Sequence, residues 1–463
     1  MRSLSVHALV LLSTLTALPH SMPAAQRASE WQAGAAKVDI TPTEPLPMAG
    51  YASRGNRPFT GVEQPLYARA LVVRHGDGPP AALVSLELVG ISKQFAHRVL
   101  NQIEQRLGIP PQRVMIVCTH THTGPAVYDR FKYLLGLTED QAAAIDRYLD
   151  VLEHRIVAAV TQAANKLQPA RLQYGQSVAR FAMNRRARRN GRIVLGVNRQ
   201  GPVDHSVPVL WVRRRDGAPL AVVYGYACHC TTLGGDYFRL CGDFAGYASE
   251  QLEGRFPGAV ALFATGCGGD ANPYPRLKLS MAKEHGNALA RAVERTLGEK
   301  LRAVRGPLVC LRREISLRFA PGPSLEEYQQ RAKGDPSNRR VRHARWILEV
   351  ARRHGGKLPE QYPYTLQGWR FDDDLTVVAL AGEVVVEYAL QTKAKHGRPE
   401  HPVWVIAYAN DVFAYIPTEK MFDEGGYEPV GSMLSWGWHS TWARDVERRV
   451  LRAIDALIQD LDK

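Results

Sequence analysis

Short apolar runs recur along the chain, each closed by a loop of small, hydroxylated or ionisable residues. The runs at 68–74, 81–88, 113–118, 209–213, 221–227, 260–264, 375–381 and 403–409 have the length and β-branched content of strands. The first two are joined across His75-Gly76-Asp77-Gly78, which predicts a hairpin. Helical spacing predicts helices over 94–107, 139–166, 245–255 and 282–302, with Thr138 and Gln141 forming a capping box for the second. Trp442, Val446, Val450, Ala453 and Leu457 predict a further helix over 440–461. Helices that follow strands at several points imply an α/β fold, a mixed β-sheet core flanked by helices. The most polar stretch, 321–367, holds two charged candidate helices, 324–333 and 339–354, and reads as an insertion over the site.

The loops at the strand ends carry the chemistry. Val114-Met115-Ile116-Val117 runs into Cys118-Thr119-His120-Thr121-His122-Thr123-Gly124-Pro125, a strand tip delivering two imidazoles onto a loop. Alternation would point both to one side, as a metal or acyl-transfer site requires; two histidines decorating a turn are the alternative. A second strand-like run ends at Cys228-His229-Cys230. Further on, Thr265-Gly266-Cys267-Gly268-Gly269-Asp270-Ala271-Asn272-Pro273 and Ala381-Gly382-Glu383 also close apolar runs. Two histidines and a carboxylate form a common catalytic zinc set with a position left open for water.

These residues, with Met48-Ala49-Gly50-Tyr51, Asn184-Arg185, Gly242-Asp243, Tyr415 and Tyr427-Glu428, fall in an order that resembles the neutral (non-lysosomal) ceramidases. The resemblance runs from about Gly34 to about Ser440 and covers their large N-terminal catalytic domain. It implies a single large catalytic domain, 26–463, and a zinc amidase that holds one Zn2+ per chain and cleaves the N-acyl bond of ceramide. By position, it implies His120, His229, Glu383 and Tyr415 as zinc ligands. His122, Arg185 and Tyr427 match residues that contact the scissile amide and its neighbouring hydroxyls. Zinc in such a set gives a nucleophilic water near pH 7. His122, Arg185 or Tyr427 would then stabilise the oxyanion or protonate the leaving nitrogen. The family places a serine needed for catalysis where this chain has Asn272, whose amide can donate to an oxyanion but cannot attack. A zinc-hydroxide mechanism survives that change; a covalent serine mechanism does not. Family members continue into a C-terminal sandwich domain, whereas this sequence stops at Lys463, so the catalytic module is expected to stand alone.

Composition narrows the class further. Hydrophobic content of 45% and charged content of 22% are ordinary for a globular protein. Arg2, an apolar run over 8–18 and small residues through Ala24-Ala25 have the layout of a secretory signal peptide, 1–25, and predict export to the periplasm or medium. Six cysteines suit that compartment, and Cys230 with Cys241 is the first pair to test as a disulfide. Cys118, Cys228 and Cys267 read as small buried residues, with a thiolate metal site as the alternative. The formal charge of +14 allows contact with an anionic membrane surface or an acidic polysaccharide. Arg185-Arg186-Ala187-Arg188-Arg189-Asn190-Gly191-Arg192 is the densest basic cluster; Arg188, Arg189 and Arg192 read as solvated. No motif accompanies it that would indicate nucleic acid. Asp243 reads as a helix cap or as a carboxylate orienting His229, and Asp270 as a turn former. Trp436, Trp438 and His439 read as pocket wall or core, and His285 and His396 as surface residues.

Three functions follow from these readings. The leading one is an exported zinc-dependent hydrolase of a ceramide-like lipid amide. The second keeps the zinc and changes the substrate to an acidic glycan or glycoconjugate, with His122 and Tyr427 as base and acid. The third is a non-catalytic binding protein on the same scaffold. A ceramide site needs a long apolar groove and a glycan site does not.

Overall fold

The computed structural model describes residues 30–128 and 130–463; the signal-peptide reading over 1–25 lies outside them. A nine-stranded mixed sheet runs in the order Val260–Thr265, Pro219–Tyr226, Ser206–Arg214, Gln168–Val178, Trp31–Asp39, Tyr67–His75, Ala81–Leu86, Val114–Cys118. Arg302–Val304 adds to it beside Gln168–Val178. A second sheet orders Leu308–Arg318, Gln361–Phe371, Leu375–Leu380 and Val403–Ile406. The predicted hairpin forms, with Val73 opposite Ala81.

The two sheets pack face to face. Leu71, Leu83, Val117 and Val223 of the first join Trp369, Val377 and Trp404 of the second in one buried cluster. The alternate residues of the same strands, such as Ala68, Ala70 and Val72, turn outward onto Lys93–Leu107 and Glu139–Ala164. On the same outer side, Asp243–Arg255 and Leu279–Gly298 pack on Val209, Val222 and Phe263. Val446–Leu461 covers the outside of the second sheet. Strands buried on both faces explain why the apolar runs are nearly continuous rather than alternating. Each Leu, Ile or Val so buried contributes about 1.5–3 kcal/mol.

Within these two sheets, three pairs of strands are parallel: Ala81–Leu86 with Val114–Cys118, Pro219–Tyr226 with Val260–Thr265, and Leu375–Leu380 with Val403–Ile406. Each pair brackets a helix in sequence (Lys93–Leu107, Asp243–Arg255 and Val386–His396), because parallel neighbours need a long crossover. Crevices beyond the carboxyl ends of such strands are where open α/β sheets bind ligands.

The fold differs from the sequence reading in a few places. Thr138 and Gln141 do form a capping box. The closing helix begins at Val446, and Trp442 instead pairs with Phe319 in a β-bridge. The basic cluster is an antiparallel hairpin, Ala182–Arg189 with Arg192–Asn198, rather than a loop. Arg188, Arg189 and Arg192 are exposed as expected, whereas Arg186 is buried. Expected at the surface, His285 is buried, stacked on Phe181 and bonded to the Pro275 carbonyl. His396 pairs with Asp455 and is half-buried. Cys230 and Cys241, with the other four cysteines, are buried free thiols, which removes the proposed disulfide. Among the described residues, no helix is long and apolar enough to cross a membrane.

Candidate functional site

His120 lies two residues beyond Val114–Cys118, and His229 three beyond Pro219–Tyr226. Glu383 follows Leu375–Leu380, and its short strand pairs in parallel with Tyr415. His120 adopts a left-handed backbone (φ 62°), a strain that side-chain alternation would not produce and that surrounding contacts must hold. That turn, not strand alternation, brings His122 back beside His120, with Nε2 to Nε2 at 3.1 Å.

The ring tautomers follow from the carbonyls behind them. His120 Nδ1 lies 2.5 Å from the Val89 carbonyl and His229 Nδ1 2.7 Å from that of Gly268, so both Nδ1 atoms must donate. In the neutral rings both Nε2 atoms are then bare lone pairs. Both face the same carboxylate oxygen: Glu383 Oε2 is 3.0 Å from His120 Nε2 and 2.9 Å from His229 Nε2. Tyr415 Oη stands 3.1 Å from His229 Nε2. Burial holds the His229 pKa down to about 4, aided by Arg185, so this ring is neutral at pH 7. Burial also drives His122 well below its usual range, with His120 and His229 adding to the effect. Lone pairs converging at such distances repel unless a cation sits among them. The buried His120, His122 and His229 could therefore hold a metal ion, and Glu383 and Tyr415 turn oxygens toward the same point.

Neighbouring groups fix these side chains. Trp436 Nε1 donates to the other Glu383 oxygen at 3.0 Å. Trp442 and Trp438 donate to the carbonyls of Tyr415 and Phe413, so the tryptophan-rich segment acts as a clamp on the strand carrying Tyr415. Gly50 (φ 92°) packs flat on His122, and a Cβ there would lie 2.5 Å from the ring. His439 is buried against Phe319, away from the histidines.

Arg185 is buried on the other side, with Nε donating to Glu428 Oε1 at 2.9 Å and Nη1 to Asn272 Oδ1 at 3.3 Å. Its guanidinium also stands over the rings of Tyr415 and Tyr427. Its Nη2 is buried without a hydrogen-bond acceptor. Asn272 Oδ1 also accepts from Thr231, which leaves the NH2 end of that amide for other partners. Burial raises the Tyr427 pKa, with Glu383 adding to it, so the phenol stays protonated. Tyr427 and Tyr415 line one cavity of about 110 Å³ with His120, His122 and Glu383. Met48, Val89, Phe131 and Leu134 give it an apolar wall.

Neither Asp243 nor Asp270 touches the histidine rings. Asp243 accepts from the backbone of Leu233 and Phe244, tying down the loop after His229. Asp270 joins Asn184 to the backbone of Val386, and burial beside Glu387 raises its pKa to about 7. The cysteines next to His229 point into the apolar core.

Two site residues carry roles that the sequence did not assign. Glu428 is buried between Arg185 and Arg186. Arg54 is buried, has no carboxylate partner among the described residues and donates to five carbonyls, of Ala49, His122, Gly234, Gly235 and Tyr237. It ties the Met48–Tyr51 turn to the His122 loop, and no local pattern signals acceptors so distant in sequence.

A buried histidine–carboxylate cluster that could hold a metal ion thus lies at the carboxyl ends of parallel strands, inside two sheets sandwiched by helices, in an α/β protein. The chain belongs to the neutral/alkaline non-lysosomal ceramidase family, whose N-terminal description matches residues 31–283. That match includes His120, His122, Arg185, His229 and Asn272 and ends before Glu383. Neutral ceramidase A of Dictyostelium discoideum is 28% identical over 246 residues, 51% of this chain and 34% of that one. Neutral ceramidase of Pseudomonas aeruginosa is 29% identical over 283 residues, 58% of this chain and 41% of that one. The chain thus spans less than half the length of these relatives. The crystal structure of the Pseudomonas neutral ceramidase superposes with a TM-score of 0.70 at 19% identity, over 92% of this chain and 73% of that one. At that identity the likeness is one of fold.

Proposed function

We propose that this protein is an exported zinc-dependent amidase that cleaves the N-acyl bond of a ceramide-like lipid. The observation that carries the reading is the convergence of His120 Nε2, His229 Nε2, a Glu383 oxygen and the Tyr415 phenol oxygen on one buried point, in a chain of the ceramidase family. The donor set of imidazole and oxygen ligands fits zinc, with His122 close enough to serve in place of one of them. When bound, the ion supplies Lewis acidity and makes water a competent nucleophile near neutral pH. The protein's own residues do the rest. Arg185, kept charged and oriented by Glu428 and standing over Tyr415 and Tyr427, stabilises the oxyanion that develops on the amide carbonyl. His122, a neutral ring that lines the cavity beside His120, is placed to take a proton. The protonated Tyr427 phenol supplies one to the departing nitrogen. Met48, Val89, Phe131 and Leu134 offer an acyl chain an apolar wall, which favours a lipid amide over the glycan alternative. Metal analysis of purified protein tests the core of this: about one zinc per chain is expected, and metal-free, fully folded protein after zinc supplementation would overturn it.

A further inference from the structure

The basic hairpin does not reach the mouth of the pocket; a different pair of arginines does. Arg339 and Arg342, from the helix Arg339–Arg353 of the polar insertion, line the same cavity as the histidines. Arg339 is half-buried and donates to Ser435 Oγ. Arg342 donates to the carbonyls of Leu134, Pro336 and Ser337. Among the described residues, no carboxylate lies within ion-pairing distance of either. Arg185 and Arg186 deeper in the site both have Glu428.

The placement is also unfavourable for the helix. Arg339, Arg340 and Arg342 occupy its first turns, and no acidic residue accompanies them there. Cations at a helix N-terminus oppose the macrodipole, where carboxylates would be stabilising. Partial burial pulls the Arg339 pKa down, and Arg342 nearby adds to that. Two costs, desolvation and dipole opposition, therefore fall on a cation with no carboxylate partner among the described residues. An anion arriving in the pocket would relieve both.

We propose that the amide substrate carries a compact anionic group (carboxylate, sulfonate or phosphate) that Arg339, with Arg342, receives at the mouth of the pocket. This deepens the amidase reading: the acyl chain follows the apolar wall, the amide meets the histidine cluster, and the anion closes onto the insertion helix. A neutral ceramide would leave the arginines unanswered.

The test compares four decanoyl amides: N-decanoylglycine, N-decanoyltaurine, N-decanoyl-O-phosphoethanolamine and the neutral N-decanoylglycinamide. Binding to intact protein is titrated calorimetrically, and amine release is followed in parallel. At least one anionic amide is expected to bind about tenfold or more tightly than the neutral one, the scale of a charge-assisted hydrogen bond. The arm that gains most identifies the anion. Arg339→Met should bring the anionic-to-neutral ratio close to one, Arg339→Lys should retain part of it, and Arg188→Met on the exposed hairpin should leave it unchanged. Equal binding of all four amides, or a preference that survives Arg339→Met, overturns the proposal. Should Arg339→Met not fold, Arg339→Lys and erosion of the preference by salt decide it. Anion-selective binding without amine release would overturn the amidase reading and keep this one; release without selectivity would do the reverse.

Discussion

Glu428 bridges two buried guanidiniums, and its removal has a calculable consequence. It is 1% exposed and sits 2.9 Å from Arg185 and 2.6 Å from Arg186. Glu428→Gln keeps the shape and removes the charge. Breaking a buried ion pair costs about 3–5 kcal/mol, because the surviving charge stays desolvated. Arg186 retains Glu424 and the Gly425 carbonyl, both at 2.9 Å, so the cost falls mainly through Arg185. A loss of about 3 kcal/mol at pH 7, toward the lower end of that range, is therefore expected. The pH dependence has a definite sign. Burial would raise the Glu428 pKa, but Arg185 and Arg186 outweigh it and hold it below the ordinary 4.5. A carboxylate depressed in the folded state stabilises above its unfolded pKa and loses that contribution as pH falls through the folded one. The gap between wild type and Glu428→Gln should thus be full at pH 7 and close below about pH 4.5. Urea unfolding across that range measures it, and an Arg185→Met background should remove most of the gap. A gap that is absent at pH 7, or constant down to acid pH, would show that the bridge does not bear the charge as described.

Trp436→Phe removes the donor to Glu383 while keeping the ring, and should weaken zinc binding about 10–100-fold, read by competition with a chelating dye. Unchanged affinity would assign Trp436 to packing alone. Asn272→Ala should leave measurable amide turnover, since Asn272 offers only an amide beside Arg185; complete loss would give it a larger part than loop shape. Arg54→Met leaves five carbonyls without their donor and should destabilise by several kcal/mol, at about 1–3 kcal/mol for each acceptor that water cannot reach. A denaturation midpoint equal to wild type would contradict that role.

The strands and helices that the apolar runs marked are present because runs buried on both faces are conspicuous. Val114–Cys118 and Leu375–Leu380 are examples, and the loops that end them carry His120 and Glu383. Gln168–Val178 and Leu308–Arg318 were not anticipated. Their buried residues are interrupted by exposed, partly buried and polar ones, so neither shows a continuous apolar run. Sequence patterns placed His120 and His122 by strand alternation; the structure places them by a left-handed turn that no pattern encodes. The roles of Arg54, Glu428 and the Arg339–Arg342 pair escaped the sequence for one reason. Each takes its meaning from partners, or from a lack of them, far away in the chain.

Amide hydrolysis by the zinc-loaded protein, with His120→Ala as control, tests the central claim most directly. A short-chain ceramide and the anionic decanoyl amides would be offered side by side, with release of free amine as the readout. Release that disappears in His120→Ala is the predicted result. A folded, zinc-replete protein that frees amine from none of them would contradict the account.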